Sequence, residues 1–190
     1  MTDRPTSAPA SRLRRLSSTQ LTPSETATIR RLLLDAFGPD DEERFTDHDW
    51  DHAVGGTHVI LDVDGEILTH AAVVERELRL DGRPFRTGYV EAVATVPGRQ
   101  GAGFGSRVMD DVNALIRDRF ELGALGTGRH SFYERLGWRT WTGPSFVRTS
   151  EGLHRTPDDD GYIMVLETSL APGLDLSAAI SCDWRPGDVW

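Results

Sequence analysis

The chain of 190 residues contains no lysine; all 21 of its Lys+Arg residues are arginine. That absence excludes two broad chemistries. A Walker A loop needs a lysine on the nucleotide phosphates, and a pyridoxal enzyme needs one for its Schiff base. Cysteine is nearly as scarce: Cys182 stands alone. It cannot form an internal disulfide, so a cytoplasmic location is expected. No apolar run reaches membrane-spanning length, and the arginine-bearing N-terminus lacks a signal-peptide core, so no membrane association is expected. Positive charge is in deficit overall. The net charge of −9 argues against nucleic acid and favours a cationic partner.

The most informative segment that is present is Gln100-Gly101-Ala102-Gly103-Phe104-Gly105. A strand-like run, Tyr89–Val96, leads into it, and Val108, Met109, Val112, Leu115 and Ile116 follow at helical spacing. A glycine turn between strand and helix exposes consecutive backbone N–H groups at the positive end of the helix, which makes a diphosphate cradle. The ligand is expected to be neither ATP nor NAD. A dinucleotide fold places its glycine turn after the first strand with an acid about 20 residues on, ending a second strand. Here the turn lies mid-chain, and Glu121 falls just after the helix.

Residues 1–12, which include a run rich in Ser, Pro, Thr and Ala, are expected to be a disordered extension, with 13–190 forming one domain. A first strand is expected over Leu13–Leu16. Thr22-Pro23-Ser24-Glu25 combines a capping threonine, a proline at the first helical position and a glutamate three residues on, which predicts a helix to about Phe37. Thr57–Val63, Asp64-Gly65 and Glu66–Val74 read as a hairpin, with a second turn at Asp81-Gly82. After the helix that follows the glycine turn come a strand at Leu122–Gly126 and a short helix through Tyr133. Trp138–Trp141 and Tyr162–Glu167 read as a final pair of strands. The class is α/β.

His48 and His52 have zinc-binding helical spacing, but Asp49 stands where a metalloprotease has Glu, and no third ligand is evident; no metal site is expected. Cys182 lacks a local base signature, and Ser106 is misplaced for a nucleophile elbow. Glu91, a carboxylate in an apolar strand, is a candidate functional residue, against the ordinary reading of an outward-facing strand residue.

Gln100, Gly103 and Gly105 fit the Gln/Arg-x-x-Gly-x-Gly/Ala signature of the GNAT N-acetyltransferases. More specific are Gly88-Tyr89-Val90-Glu91, Leu122-Gly123-Ala124-Leu125, Tyr133 with Gly137-Trp138, Arg155-Thr156-Pro157-Asp158-Asp159-Asp160-Gly161 and the terminus Cys182–Trp190. Together, from about Phe37 onward, these resemble the GNAT aminoglycoside 2'-N-acetyltransferases. The resemblance implies the GNAT acyl-CoA N-acyltransferase fold, a mixed, mostly antiparallel central sheet flanked by helices. It implies acetyl-CoA as cofactor, held by a bulged strand at Val93, Ala94 and Thr95 and by the loop Gln100, Gly101, Ala102, Gly103, Phe104 and Gly105. A polycationic aminosugar, the implied substrate, lies against Asp41, Glu91, Ala92, Gly126, Asp158, Asp159, Asp188 and Trp190. The family makes Glu91 the base, Tyr133 the acid toward the departing thiolate, and a backbone N–H near Val93 the oxyanion donor. A homodimer is implied by resemblance alone.

Two departures stand out. Gly126-Thr127-Gly128 occupies the place of a family serine, and the chain is longer around Asp40-Asp41-Glu42-Glu43. Two rival readings remain at this level: a GNAT enzyme for another amine, such as a protein N-terminus or a polyamine, and a non-catalytic acyl-CoA-binding module.

Overall fold

A computed structural model describes residues 10–38 and 45–190. The extension expected over residues 1–12 falls largely outside these, and Asp41, with the rest of the acidic run 40–43, lies wholly outside. The elements in chain order are β1 (Ser11–Ser17), α1 (Pro23–Phe37), α2 (Asp47–Ala53), β2 (Thr57–Val63), β3 (Glu66–Leu80), β4 (Arg83–Thr95), α3 (Phe104–Arg119), β5 (Leu122–Gly126), α4 (His130–Glu134), β6 (Arg139–Thr140), β7 (Ser145–Thr149), β8 (Gly152–Arg155), β9 (Ile163–Glu167) and β10 (Ile180–Asp183).

Local chemistry sets the helix starts. The Thr22 hydroxyl accepts from the Glu25 amide at 3.2 Å while the Glu25 carboxylate accepts from the Thr22 amide at 2.9 Å, the reciprocal box expected from the sequence. Thr46 and Asp49 repeat the device at α2, a helix whose extent was not foreseen. The Asp64-Gly65 and Asp81-Gly82 turns both adopt positive φ and close the β2–β3 and β3–β4 hairpins.

All strands join one sheet. β1, β2, β3, β4, β5, β9 and β6 are neighbours in that order, and β10, β7 and β8 extend it from the far half of β3. The 15 residues of β3 carry β2 along Glu66–Val73 and β10 at Arg79–Leu80. β3 was expected to end at Val74 and β4 to begin at Tyr89; both run longer. The added stretch alternates buried Leu78, Leu80 and Phe85 with exposed Glu75, Glu77, Arg79 and Arg86. That is the period-two pattern of a half-solvated strand. β6 and β9 pair antiparallel as expected, but they are not the last strands, because β10 follows and pairs parallel with β7.

Helices cover both faces. Val108, Met109, Val112, Leu115 and Ile116 of α3 pack with Val59, Leu61, Ala71, Val73 and Val90. On the opposite face Ile29, Leu32 and Leu33 of α1 and Trp50 of α2 pack with Ile60 and Ala94. A third cluster, around Tyr89, Trp141 and Ile180, fills the far end and includes Trp190. No helix among the described residues is long and apolar enough to cross a membrane.

Candidate active site

The site begins where two strands part. β4 and β5 pair in parallel at Thr87↔Leu122, Gly88↔Gly123 and Tyr89↔Ala124, and there the pairing stops. β5 continues alongside β9 to Gly126, and β4 continues alongside β3 to Thr95. The edge of Val90–Thr95 is left facing a cleft. Against β3 the register jumps from His70↔Ala94 to Ala72↔Glu91, which inserts one extra residue in β4. Ala92 takes φ of 53°, the only positive-φ non-glycine among the described residues outside the two hairpin turns. The bulge leaves Val90 and Val93 on the α3 side and Ala92 and Ala94 on the α1 side. Ala94 is buried, so it presents backbone alone to the cleft. The Thr95 hydroxyl is 3.1 Å from that of Thr69.

The glycine loop follows this edge directly. The Gln100 side chain donates to the Thr95 carbonyl at 3.4 Å, tying the loop to the strand end. Gly98, Gly101 and Gly103 have φ of 79°, 79° and 83°, a region costly for any residue with a Cβ. Gly103 caps α3 without a side-chain bond, and the first backbone bond of the helix runs from the Arg107 amide to the Gly103 carbonyl. The amides of Phe104, Gly105 and Ser106 therefore have no helical acceptor. Phe104 anchors the turn in the α3-side core, while Gly101, Ala102 and Gly103 are exposed. Three N–H groups without a partner among the described residues, at the positive end of a 16-residue helix, fit a diphosphate.

Glu91 is reached from the other side of the sheet. Its carboxylate accepts from Arg185 Nη1 at 2.6 Å, with both side chains about 15% exposed. Burial pushes the Glu91 carboxyl above its ordinary value, and the Arg185 guanidinium pulls against that rise. Arg185 also donates to the Asp188 carbonyl at 2.7 Å and lies over the Tyr89 ring. Arg76 donates to the Val189 carbonyl at 2.8 Å. These two arginines hold the C-terminal segment against the sheet. Trp190 is buried in the far-end cluster, its indole N–H donating to the Thr156 hydroxyl at 3.1 Å. A Cβ on Gly126 would stand 3.4 Å from the terminal carboxyl carbon and 3.6 Å from the Tyr89 hydroxyl. The carboxyl group of Trp190 therefore sits beside the end of β5, at the parting of the strands. The Tyr89 hydroxyl and Arg76 Nη1 are buried with no hydrogen-bond partner among the described residues, as expected of groups lining a site that takes a polar ligand.

The triple aspartate divides its labour. Asp160 accepts from the Ser145 amide and hydroxyl and pairs with Arg155, and these bonds hold its carboxyl down to about 2. Asp158 is exposed. Asp159 is half-buried, its carboxyl raised by that burial and by the neighbouring charges of Asp188, Asp158 and Asp160. Asp159 and Asp188 are thus close enough for their charges to interact. The Thr127 hydroxyl accepts from the Arg129 amide at 3.0 Å and shapes the turn into α4.

Tyr133 is carried by α4. It is buried between Phe132 (ring centroids 4.9 Å apart, edge-on) and Trp138 (6.1 Å), and burial pushes its phenol up to about 12. Phe132 in turn touches the Gly105 position, so α4 links the glycine loop to the end of β5.

Sequence reasoning missed Arg185, Arg76, Tyr89 and a buried pair, His58 and His70. Arg185 and Tyr89 lie inside the quoted motifs, but the Arg185–Glu91 contact spans 94 residues, and no local pattern reports it. His52, one of the two suspected zinc ligands, is instead 2.7 Å from the Pro186 carbonyl. Among the described residues no group of three His, Cys, Asp or Glu is placed to hold a metal.

Burial holds His58 at about 4, and burial together with its neighbour holds His70 at about 3. Both stay neutral in the folded chain while their unfolded counterparts take up protons below about 6.5. The unfolded state binds more protons across that window, so stability falls as pH drops from 6.5 towards 4, by about 1 kcal/mol per pH unit for each histidine. Denaturant midpoints measured between pH 7 and 5, above the range where Glu25 and Asp160 titrate, check this. A flat profile there contradicts it.

A splayed, bulged strand followed by a glycine turn that caps the next helix is the arrangement of a coenzyme A-type acyltransferase, and the chain belongs to the GNAT acetyltransferase family. Residues 18–141 match the model of the Acetyltransferase (GNAT) domain. The chain is 43% identical over 166 residues to an aminoglycoside 2'-N-acetyltransferase of Mycolicibacterium fortuitum, covering 85% of this chain and 83% of that one. Among solved structures it superposes with TM-score 0.60 and 18% identity on a GNAT family acetyltransferase from Brucella melitensis in complex with acetyl-CoA, covering 90% of this chain and 94% of that one. A GCN5-related N-acetyltransferase from Kribbella flavida gives 0.57 at 22% identity over 72% of this chain, which spans about a third (34%) of that longer protein.

Proposed function

We propose that this protein is an acetyl-CoA-dependent N-acetyltransferase acting on the 2'-amino group of aminoglycosides. The observation that carries the reading is the 43% identity to an enzyme of that name over 85% of the chain. The geometry supports it. The Val93–Thr95 edge is open for strand-like pairing with a pantetheine arm, and the loop amides of residues 100–105 suit the pyrophosphate. When bound, acetyl-CoA supplies the acetyl group as an activated thioester.

The chain's own residues do the rest. Glu91 takes the ammonium proton through ordered water, because the amine must be neutral to attack. Its burial raises its proton affinity, and the Arg185 guanidinium works against that rise. The Val93 amide donates to the acyl oxygen as negative charge develops. Tyr133, protonated at neutral pH, donates to the departing sulfur. Asp158, Asp159, Asp188 and the Trp190 carboxylate receive the remaining ammonium groups, with Asp41 as a further acid. A lone buried cysteine suits a cytoplasmic protein. The homodimer rests on family resemblance.

Thiol release measured over a panel of amines tests the reading. Release is expected with aminoglycosides that carry a 2'-amino group and not with those bearing a hydroxyl there. Turnover confined to peptide N-termini or polyamines transfers the activity to another amine, and coenzyme binding without turnover makes the chain a binding module. Within the same assay, Glu91→Gln shifts or abolishes the acidic limb of the kcat/KM profile. A limb that persists at the same pH assigns the titration elsewhere, Asp159 being the first candidate.

A further inference from the structure

Behind the bulge lies a chain of hydrogen bonds, buried at its centre and partly buried at its ends, that the proposed chemistry does not use. Ser18 Oγ is 2.8 Å from His58 Nε2, His58 Nδ1 is 2.9 Å from His70 Nε2, and His70 Nδ1 is 2.8 Å from the Ala92 carbonyl. Both rings are fully buried beneath Trp50, whose ring centroid is 5.8 Å from that of His58 and 6.5 Å from that of His70. The last acceptor decides every proton position. A carbonyl can only accept, so His70 carries its proton on Nδ1 and presents Nε2 as an acceptor. His58 must then donate from Nδ1 and accept at Nε2 from the Ser18 hydroxyl, which itself accepts from the Gly55 amide at 2.9 Å. The chain has one direction and ends on a group that passes no proton onward, so it orients rather than conducts.

What it orients follows from peptide geometry. The Ala92 carbonyl and the Val93 N–H belong to one planar trans peptide and point in opposite directions. Fixing the carbonyl toward β3 and His70 aims the Val93 N–H away from β3, toward the side where β4 parts from β5. Ala92 is held at a positive φ that alanine disfavours, so a dedicated anchor is needed to keep that peptide from rotating. We propose that His70, braced by His58 and Ser18, is a positioning residue that aims the Val93 amide at the acyl oxygen. This rests on the acetyltransferase reading for the role of that amide, but not for the existence of the relay.

Two measurements test it together. In the ligand-free protein at neutral pH, ¹⁵N spectra of the imidazoles should show both histidines as the Nδ1–H tautomer, the minor form in free histidine. An Nε2–H form at either ring overturns the proposal. His70→Leu, with the ring donor gone, should lower kcat by about tenfold or more, as expected when an oxyanion donor loses its aim, while acetyl-CoA affinity stays within about threefold. His70→Asn keeps a donor at the δ position and should restore most of the loss. Equal losses in both variants, or a fall in affinity that tracks melting temperature, would mean packing alone. If His70→Leu does not fold, His58→Leu, which removes the brace and leaves the Ala92 bond possible, is judged by the same split. If the wild type releases no thiol with any amine, the acetyltransferase reading fails. The relay then stands or falls on the tautomers and on whether the Val93 amide resonance moves in His70→Leu and returns in His70→Asn.

Discussion

Tyr133→Phe should leave acetyl-CoA affinity unchanged and lower kcat by roughly ten- to ten-thousand-fold, the span over which general acids contribute. The substitution is clean because the ring is held by Phe132 and Trp138 through its edges and faces, and the hydroxyl makes no hydrogen bond among the described residues. Where in that span the loss falls is informative. A phenol raised to about 12 is a weaker acid than a thiol of ordinary pKa near 8.5. Complete transfer to a free thiolate would therefore run uphill, and the buried phenol is better suited to hydrogen-bond the sulfur as charge builds on it. That argues for the lower half of the range. A loss near the top would mean that substrate binding brings the phenol's pKa down. Pre-steady-state acetylation, in which chemistry is observed directly, is the deciding measurement. An unchanged rate there removes Tyr133 from the mechanism.

The parts of the fold that could be read in advance are those whose cause is local. The Thr22–Glu25 box, the Asp-Gly hairpin turns and the apolar stripe of α3 each lie within a dozen residues, and each formed where expected. A bulged strand was expected from family resemblance, with its free backbone groups at Val93–Thr95, and the register break at Ala92 falls just before them. β10, β7 and β8 were not legible. β8 is fully exposed, and β10 has four residues and depends on the far half of β3 for its pairing. The site shows the same division. Glu91, Tyr133 and the glycine loop stand out by residue type within a motif. Arg185 on Glu91, Arg76 on Val189 and the His58–His70 relay are long-range pairings made by the sheet. A histidine in an apolar strand gives no sign of whether it serves packing or function.

Deleting Trp190 should raise the aminoglycoside KM about a hundred-fold or more while leaving acetyl-CoA affinity intact, because the indole's hydrogen bond runs to Thr156 and not to the glycine loop or the Val93–Thr95 edge. The structure sharpens what that experiment removes. The indole is buried and bonded to Thr156, so its loss also opens the far-end cluster. Removing a buried tryptophan costs about 3–5 kcal/mol of stability, and the kinetics must be measured well below the lowered melting temperature. The carboxylate can be tested without that cost. Arg76 and Cys182 both hold the Val189 carbonyl, at 2.8 and 3.3 Å, which keeps the tail in place. A short C-terminal tag converts the terminal charge to an amide and preserves the indole. One charge-assisted contact to an ammonium group is worth about 1–3 kcal/mol, so the tag alone should raise KM roughly ten- to a hundred-fold, and an N-terminal tag should do nothing. Trp190→Phe keeps the charge and most of the packing but loses the Thr156 bond, and it should fall between the wild type and the tagged form. If the tagged protein retains wild-type aminoglycoside kinetics, the terminal charge has no part in recognition. The substrate would then be held by the side-chain carboxylates without the terminal one, and a preference for aminosugars over other polyamines would lose its main structural support.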